Sequence, residues 1–463
     1  MRLYRIIISV MFSLMPFWNI SAKAGDLKVD VKDYGASGDG VTLDTEALNA
    51  AVSYCSENGG GTVCVPSGTF LTGTVVMKSN VALYLESGAV IKGTDDLDQY
   101  KPYIPTREMG KYDNADKYNW NRALLLGVGV KNVKISGKGR IDGSHVIDPH
   151  GEENMRGPHT VLFAESGKIE LSGISIVRAA NYAFMAYEIE DAVFTGILIQ
   201  EGWDGIHIRG SRNTLIEDCE FCTGDDAIAG GYWNNMVIRN CRINSSCNGI
   251  RMIMPAENLE IEKCSFKGPG VFPHRTSGER RRNNMLSAIL LQPGGWEKAP
   301  GFLDNIVIKD INVENVDNPL MFVLNQENSC GSVSVENFRA KNILLSALSF
   351  ESWQGGDFYN VRMKDISIEY KGNPDVSSRN IVPSQPHVDN RELPSWGCFF
   401  RNVRHLKLEK FNISYTGEEV RPSFYMDSVS KADFEDVRAK DNGVEPIVRY
   451  NTGNIRGEVV LYK

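Results

Sequence analysis

Apolar and polar residues alternate in short runs along most of this chain, and the runs return at a nearly constant interval. IELSGISI (169–176), AVFTGILI (192–199), TLIEDCEF (214–221), MVIRNCRI (236–243) and LEIEKCSF (259–266) each read as a half-buried strand with side chains on alternate faces. Their last positions, Ile176, Ile199, Phe221, Ile243 and Phe266, are spaced by 23, 22, 22 and 23 residues, one apolar column seen end on. KISGKGRIDG (134–143) precedes the series, and IVIKDINV (306–313), VSVENFRA (333–340), VRMKDISI (361–368), LKLEKFNI (406–413) and DFEDVRA (433–439) follow at wider intervals, giving about ten coils. A period this short means a solenoid, in which each coil buries its apolar face only against its neighbours. No helical stretch recurs, which excludes an α/β barrel, and a β-propeller repeats only about every 40 residues. The pattern predicts an all-β chain folded as a right-handed parallel β-helix. Segments 97–122, 268–287 and 370–398 are too long and polar for single turns and are expected to hang over one face as loops.

The ends of the chain read differently. Residues 25–96 form a cap region: Asp44 and Thr45 can cap a helix whose apolar positions Ala47, Leu48, Ala51 and Val52 keep helical spacing up to Asn58-Gly59-Gly60-Gly61. A helix followed by strands suits the closure of an open solenoid end. Residues 1–24, with Arg2 and Arg5, an apolar run to Trp18 and Ala22-Lys23-Ala24, read as a signal peptide. The mature chain, 25–463, is then one β-helix domain, secreted or periplasmic, without a membrane span, and expected to be a monomer. The net charge of -8 argues against a nucleic-acid partner. Nine cysteines are too few for a disulfide framework in 463 residues. Cys219, Cys241 and Cys264 are expected to stack as buried small residues, while Cys55 and Cys64, flanking a glycine turn, are the expected bonded pair.

The candidate chemistry lies where the interval is most regular. Asp204, Asp226 and Asn248 are 22 residues apart, as are Ile206, Ile228 and Ile250. Neighbouring parallel strands lie about 4.8 Å apart, so Asp204 and Asp226 fall on adjacent rungs with Asp225 beside them. Carboxylates that close cannot all ionise freely, and an acid and a base can then coexist at one pH. His207, Ala229 and Arg251 share the same 22-residue interval and alternate with the isoleucines, so they face outward beside the acids. Arg251 suits a carboxylate or sulfate on a sugar, or a salt bridge to one of the aspartates. His274 with Arg275, Arg280, Arg281 and Arg282 forms a basic cluster in the 268–287 loop that could cover a subsite for an anionic chain or simply be solvated.

At this point the chain resembles the polygalacturonase family of glycoside hydrolases, β-helix enzymes that hydrolyse α-linked galacturonate chains with inversion. DYGASGDG, GGGTVCVPSGTF and SNVALYLESGAVIKG in the cap carry the likeness, as do RIDGS (140–144), GPHTVLF (157–163) and Gly224-Asp225-Asp226. Where the family has Asn-Thr-Asp, this chain has Gly202-Trp203-Asp204. The resemblance implies that Asp225 protonates the leaving oxygen while Asp204 and Asp226 hold and deprotonate the attacking water, without a cofactor or metal. Such inverting pairs usually stand about 6.5–9.5 Å apart, more than adjacent rungs provide. The family's Gly-His-Gly and Arg-Ile-Lys have no full counterparts: Cys247-Asn248-Gly249 and Asn248-Gly249-Ile250-Arg251-Met252 stand in their place. Trp203, His207, Asn248, Arg251 and Arg281 are the expected contacts to a polysaccharide or oligosaccharide of the galacturonate or galactose type. A polysaccharide lyase using Ca²⁺ on the carboxylates with Arg251 as base, and a non-catalytic glycan-binding β-helix, stay open as alternatives.

Overall fold

The 22-residue interval folds into a ladder. In the computed structural model, which describes residues 26–103, 120–275, 282–387 and 390–463, the strand Phe184–Thr195 pairs in parallel with Ile206–Glu217, and that strand with Ile228–Arg239. Phe184 faces Ile206, Ile206 faces Ile228, and Ile228 faces Ile250. The described strands join one 35-stranded sheet wound as a right-handed parallel β-helix. Ile206, Ile208, Ile228, Ile250 and Phe221 are fully buried along its axis. Removing such a side chain leaves a hole the neighbouring coils cannot close, so an isoleucine-to-alanine change there costs about 2–5 kcal/mol. Cys219, Cys241 and Cys264 are buried free thiols in the same core.

The long strands turn corners at left-handed residues, and on four successive coils one of these is asparagine. Asn213, Asn235, Asn258 and Asn305 all adopt positive φ, between 55° and 58°, a left-handed conformation that Asn tolerates better than most residues. Their side chains form a column: Asn213 Nδ2 donates to Asp191 Oδ1, Asn235 to Asn213, Asn258 to Asn235 and Asn305 to Asn258, at 2.9–3.0 Å. The column fixes the register of successive coils.

The helix Thr45–Glu57 packs Leu48, Ala51, Val52 and Cys55 against the first strands. Asp44 stands at its N-cap but makes no capping bond; its carboxylate instead accepts from Ser37 N at 2.6 Å and Gly38 N at 3.0 Å, tying down the preceding turn. The expected Cys55–Cys64 bond is absent, and both are free thiols. Val63 and Val65 of the strand Gly61–Val65 point into the core that holds Cys55, so alternation turns Cys64 the other way.

The loop 371–397 lies across one face of the helix. Asn390 Nδ2 donates to Leu286 O at 2.6 Å, Gln385 Nε2 to Asn325 Oδ1 at 2.6 Å, and Arg391 clasps the buried Glu351 carboxylate with both terminal nitrogens, at 3.1 and 2.6 Å. Residues 1–24, most of the segment 97–122, and Arg280 and Arg281 lie outside the described residues. Among the described residues no helix is long and apolar enough to cross a membrane.

Candidate active site

Parallel register delivers the acids. Gly205 N donates to Asp226 O and Ala227 N to Asn248 O, at 2.9 and 3.0 Å, so Asp204, Asp226 and Asn248 stack on consecutive coils, the two aspartates just ahead of their strands and Asn248 at the start of its own. Asp225 reaches the same place because the turn before it is tight. A Cβ on Gly224 would come within 2.3 Å of Gly202 O, so no larger residue fits there without moving the backbone. One oxygen of each of Asp204, Asp225 and Asp226 lies within 4.8 Å of the others.

Each carboxylate has a different set of partners. Asp204 Oδ2 is 2.7 Å from His207 Nδ1, and the His207 ring stacks on Tyr182 at 4.8 Å with 5° between planes. Asp226 Oδ1 accepts from Asn248 N at 2.9 Å and Asn248 Nδ2 at 2.8 Å, and its Oδ2 accepts from Arg251 Nη1 at 3.2 Å. Asp225 Oδ2 lies 3.5 Å from His274 Nε2 and 3.8 Å from Arg156 Nη2. The Asp225 side chain is 14% exposed, against 4% for each of the other two.

These surroundings separate the acids electrostatically. Burial, then the charges of Asp225 and Asp226, push the Asp204 carboxyl well above the usual range. Burial also acts to raise Asp225, but its bond to His274 and the charges of His274, Arg156 and Arg251 outweigh this and hold it below the ordinary value. These surroundings favour the protonated form of Asp204 and the ionised form of Asp225. Burial, with Asp226 and Asp225 nearby, pushes the Cys247 thiol up, so it is no nucleophile. Ligand atoms of Asp225, Cys247 and His274, like those of the three acids, are close enough to share a cation, but Arg156 and Arg251 already face the carboxylates.

The acids open into a cavity of about 120 Å³, walled also by Arg156, Tyr182, His207, Arg251 and Trp296. A larger hollow of about 710 Å³ lies along Lys131, Glu188, Gly210 and Tyr232, where Glu190 is already paired with Arg212; the acids do not converge there. On one side of the small cavity, outward-facing Leu162, Met185 and Tyr187 are fully buried under Tyr103, Trp120 and Tyr182. On the other, Leu290, Met321 and Val323 are fully buried, with Trp353 packed against them. The site is a pit with covered flanks.

Of the expected contacts, His207 and Arg251 line the cavity, while Asn248 is 1% exposed and serves Asp226. Trp203 takes a supporting place instead. It is 1% exposed, donates from Nε1 to Ala180 O at 3.0 Å, and lies 3.9 Å beneath the Arg156 guanidinium. Arg156, Tyr182 and Trp296 escaped the sequence reading: Arg156 and Trp296 stand off the 22-residue ladder of acids, whereas Tyr182, 22 residues before Asp204, stands on it but carries no charge to single it out. His274 was visible only as part of a basic cluster.

Residues 28–264 match the family described as rhamnogalacturonase A/epimerase, pectate lyase-like, and the chain belongs to that family as a divergent, polygalacturonase-like member. A probable polygalacturonase of Vitis vinifera is 30% identical over 254 residues, covering 51% of this chain and 48% of the relative, so the chain spans about half that protein's length. An exopolygalacturonase of Thermotoga maritima superposes with a TM-score of 0.54 at 17% identity, covering 95% of this chain and 93% of that one. A surface adhesin of Streptococcus pneumoniae gives 0.55 at 16%, covering 88% and 92%. The fold thus serves a hydrolase and an adhesin alike, and activity must be argued from the residues.

Proposed function

We propose that the protein is an inverting glycoside hydrolase that removes sugars from the end of a galacturonate- or galactose-type chain. The observation that carries this reading is the convergence of three differently tuned carboxylates in one pit whose flanks are covered. A cavity of about 120 Å³ is far below the roughly 300–1,000 Å³ of pockets that enclose larger ligands, which favours engagement of a chain end over a threaded chain. Asp225, the most exposed of the acids, protonates the leaving oxygen, and Asp204 and Asp226 orient and deprotonate water.

The nearest oxygens are closer than the usual inverting separation, and the hydrogen bonds explain why attack by water is still favoured. A covalent nucleophile needs a free carboxylate oxygen. Asp226 has both oxygens engaged, by Asn248 and by Arg251, and Asp204 is held through Oδ2 by His207 at 2.7 Å. Burial works against the charge of Arg251, but Asp226, Cys247 and Asp225 outweigh it and keep the guanidinium protonated, which disfavours a lyase with Arg251 as base.

The test is a product assay on polygalacturonate, rhamnogalacturonan, sulfated galactan and neutral galactan, followed by NMR of the first-formed anomer. Single sugars of inverted configuration are expected, with little early loss of viscosity. An unsaturated product, a retained anomer, or binding without cleavage would each defeat the reading.

A further inference from the structure

The pit carries more carboxylates than cations. Glu152 and Glu153, with side chains 36% and 35% exposed, line it together with Asp204, Asp225 and Asp226. Against these five stand two guanidinium groups, Arg156 and Arg251, and both are already matched. Arg156 lies against Glu153, with Nε 3.1 Å from Oε2 and Nη2 3.4 Å from Oε1, while Glu152 and Asp225 each approach it at 3.8 Å. Arg251 donates from Nη1 to Asp226 Oδ2 at 3.2 Å. Even with Asp204 protonated, four carboxylates face two guanidiniums, and His274, 3.5 Å from Asp225, offsets at most one of them. Among the described residues of the basic loop, Arg275 is bonded to His145 and Arg282 to Cys247.

The coils on either side add no cation. Met185, Ala229, Leu290 and Met321 are the outward positions in register with His207 and Arg251. What the pit does offer is hydrogen bonding and an apolar plate. Arg156 Nη1 and Arg251 Nε and Nη2 are buried donors without a partner, the glutamates are acceptors, and Trp296, 44% exposed, adds an indole to the wall. A buried donor without an acceptor is costly. A hydroxyl oxygen satisfies it without bringing another charge, and its own proton goes to a carboxylate.

We propose, resting on the hydrolase reading above, that the terminal sugar held in the pit is uncharged, a galactose-type unit and not a galacturonate, and that Glu152 and Glu153 determine this choice. A galacturonate would bring a sixth carboxyl group into the cavity, where it must either displace Glu153 from Arg156 or lie beside it uncompensated. A primary hydroxyl at the same carbon instead donates to a glutamate and accepts from a guanidinium. One like charge roughly 5–8 Å away, at an effective dielectric of about 20, is worth roughly 30- to 300-fold in an equilibrium constant. The two glutamates are partly in water, and screening leaves an expected discrimination of at least about tenfold.

The full chain and its Glu152→Gln and Glu153→Gln variants are compared on oligogalacturonate and its carboxyl-reduced neutral counterpart, which share linkage and ring stereochemistry. Calorimetry with methyl α-galactoside and methyl α-galacturonoside reads binding separately from cleavage. The wild type is expected to favour the neutral chain in kcat/KM by at least about tenfold. Each variant is expected to narrow that ratio about tenfold, the acidic chain gaining and the neutral chain losing. A glutamate with only a structural role would lower both chains alike and leave the ratio fixed. Glu152 reaches Arg156 only at 3.8 Å, so its variant guards against a fold lost with Glu153. A wild type that prefers the acidic chain, or a ratio that neither variant moves, overturns the proposal while leaving the hydrolase reading intact. Preferential binding of the neutral sugar with neither chain cleaved supports the selection and sinks the hydrolase reading. Failure to bind either sugar, with neither chain cleaved, overturns both.

Discussion

Asp204→Asn is expected to stabilise the protein while disabling it. Burial and the charges of Asp225 and Asp226 raise the Asp204 carboxyl well above its unfolded value of 3.8, so the folded chain holds a proton that the unfolded chain releases above that pH. Between 3.8 and the raised value the native state binds more protons than the unfolded one. Stability therefore falls as pH rises through that window, by about 1.4 kcal/mol per pH unit. Asparagine matches the neutral acid in shape, can still meet His207 Nδ1, and has no proton to lose. The stability difference between variant and wild type is expected to be small at about pH 4, to open in the variant's favour with that slope, and to level off once Asp204 would have ionised. Asp225 does not blur the comparison: its folded value is depressed, so its contribution is present above 3.8 and is lost only as pH falls further. The assay is urea unfolding of both proteins at half-unit steps from about pH 4 to about pH 8. A difference that stays flat, or one that favours the wild type as pH rises, would show that Asp204 is ionised in the free site and that the proton economy drawn here is wrong.

Other outcomes follow from the same geometry. Asp225→Asn is expected to cut turnover by roughly 10²–10⁴-fold, the usual share of a general acid, with an unchanged far-ultraviolet circular dichroism spectrum. Asn248→Ala removes the 2.8 Å bond to Asp226 but leaves the backbone donor. A cost of about 1–3 kcal/mol in urea unfolding is expected, together with a drop in kcat larger than any rise in KM. Alkylation in denaturant without reductant, read by peptide mass spectrometry, is expected to label both Cys55 and Cys64, since neither is bonded.

The parts of the molecule legible in its sequence are those that obey a period. Equal spacing of Ile206, Ile228 and Ile250 stated the register outright, and with it the stacking of Asp204 and Asp226, because parallel pairing converts sequence interval directly into height. The cap helix was legible from its apolar spacing. The orientation of Trp203 was not: its neighbours Arg156 and Ala180 belong to a loop and a different coil, and only tertiary packing turns the indole under the guanidinium. Arg156 stands in a segment without a counterpart one coil away, so no spacing could single it out. The same holds for the covering of the flanks, which depends on where the loop 371–397 lands and not on its composition. The Cys55–Cys64 pairing failed because closeness in sequence says nothing about which side of a strand a thiol faces.

The column of corner asparagines implies a rule about where this chain can change length. An extra residue inside a strand would push its asparagine off the amide below and turn every following side chain to the opposite face, parting Asp204 from Asp226. An insertion between strands disturbs neither. Growth is thus permitted only in the connecting segments, among them those that carry Arg156 and His274, so descendants of this scaffold can acquire new tastes in sugar while the hydrolytic step keeps its alignment.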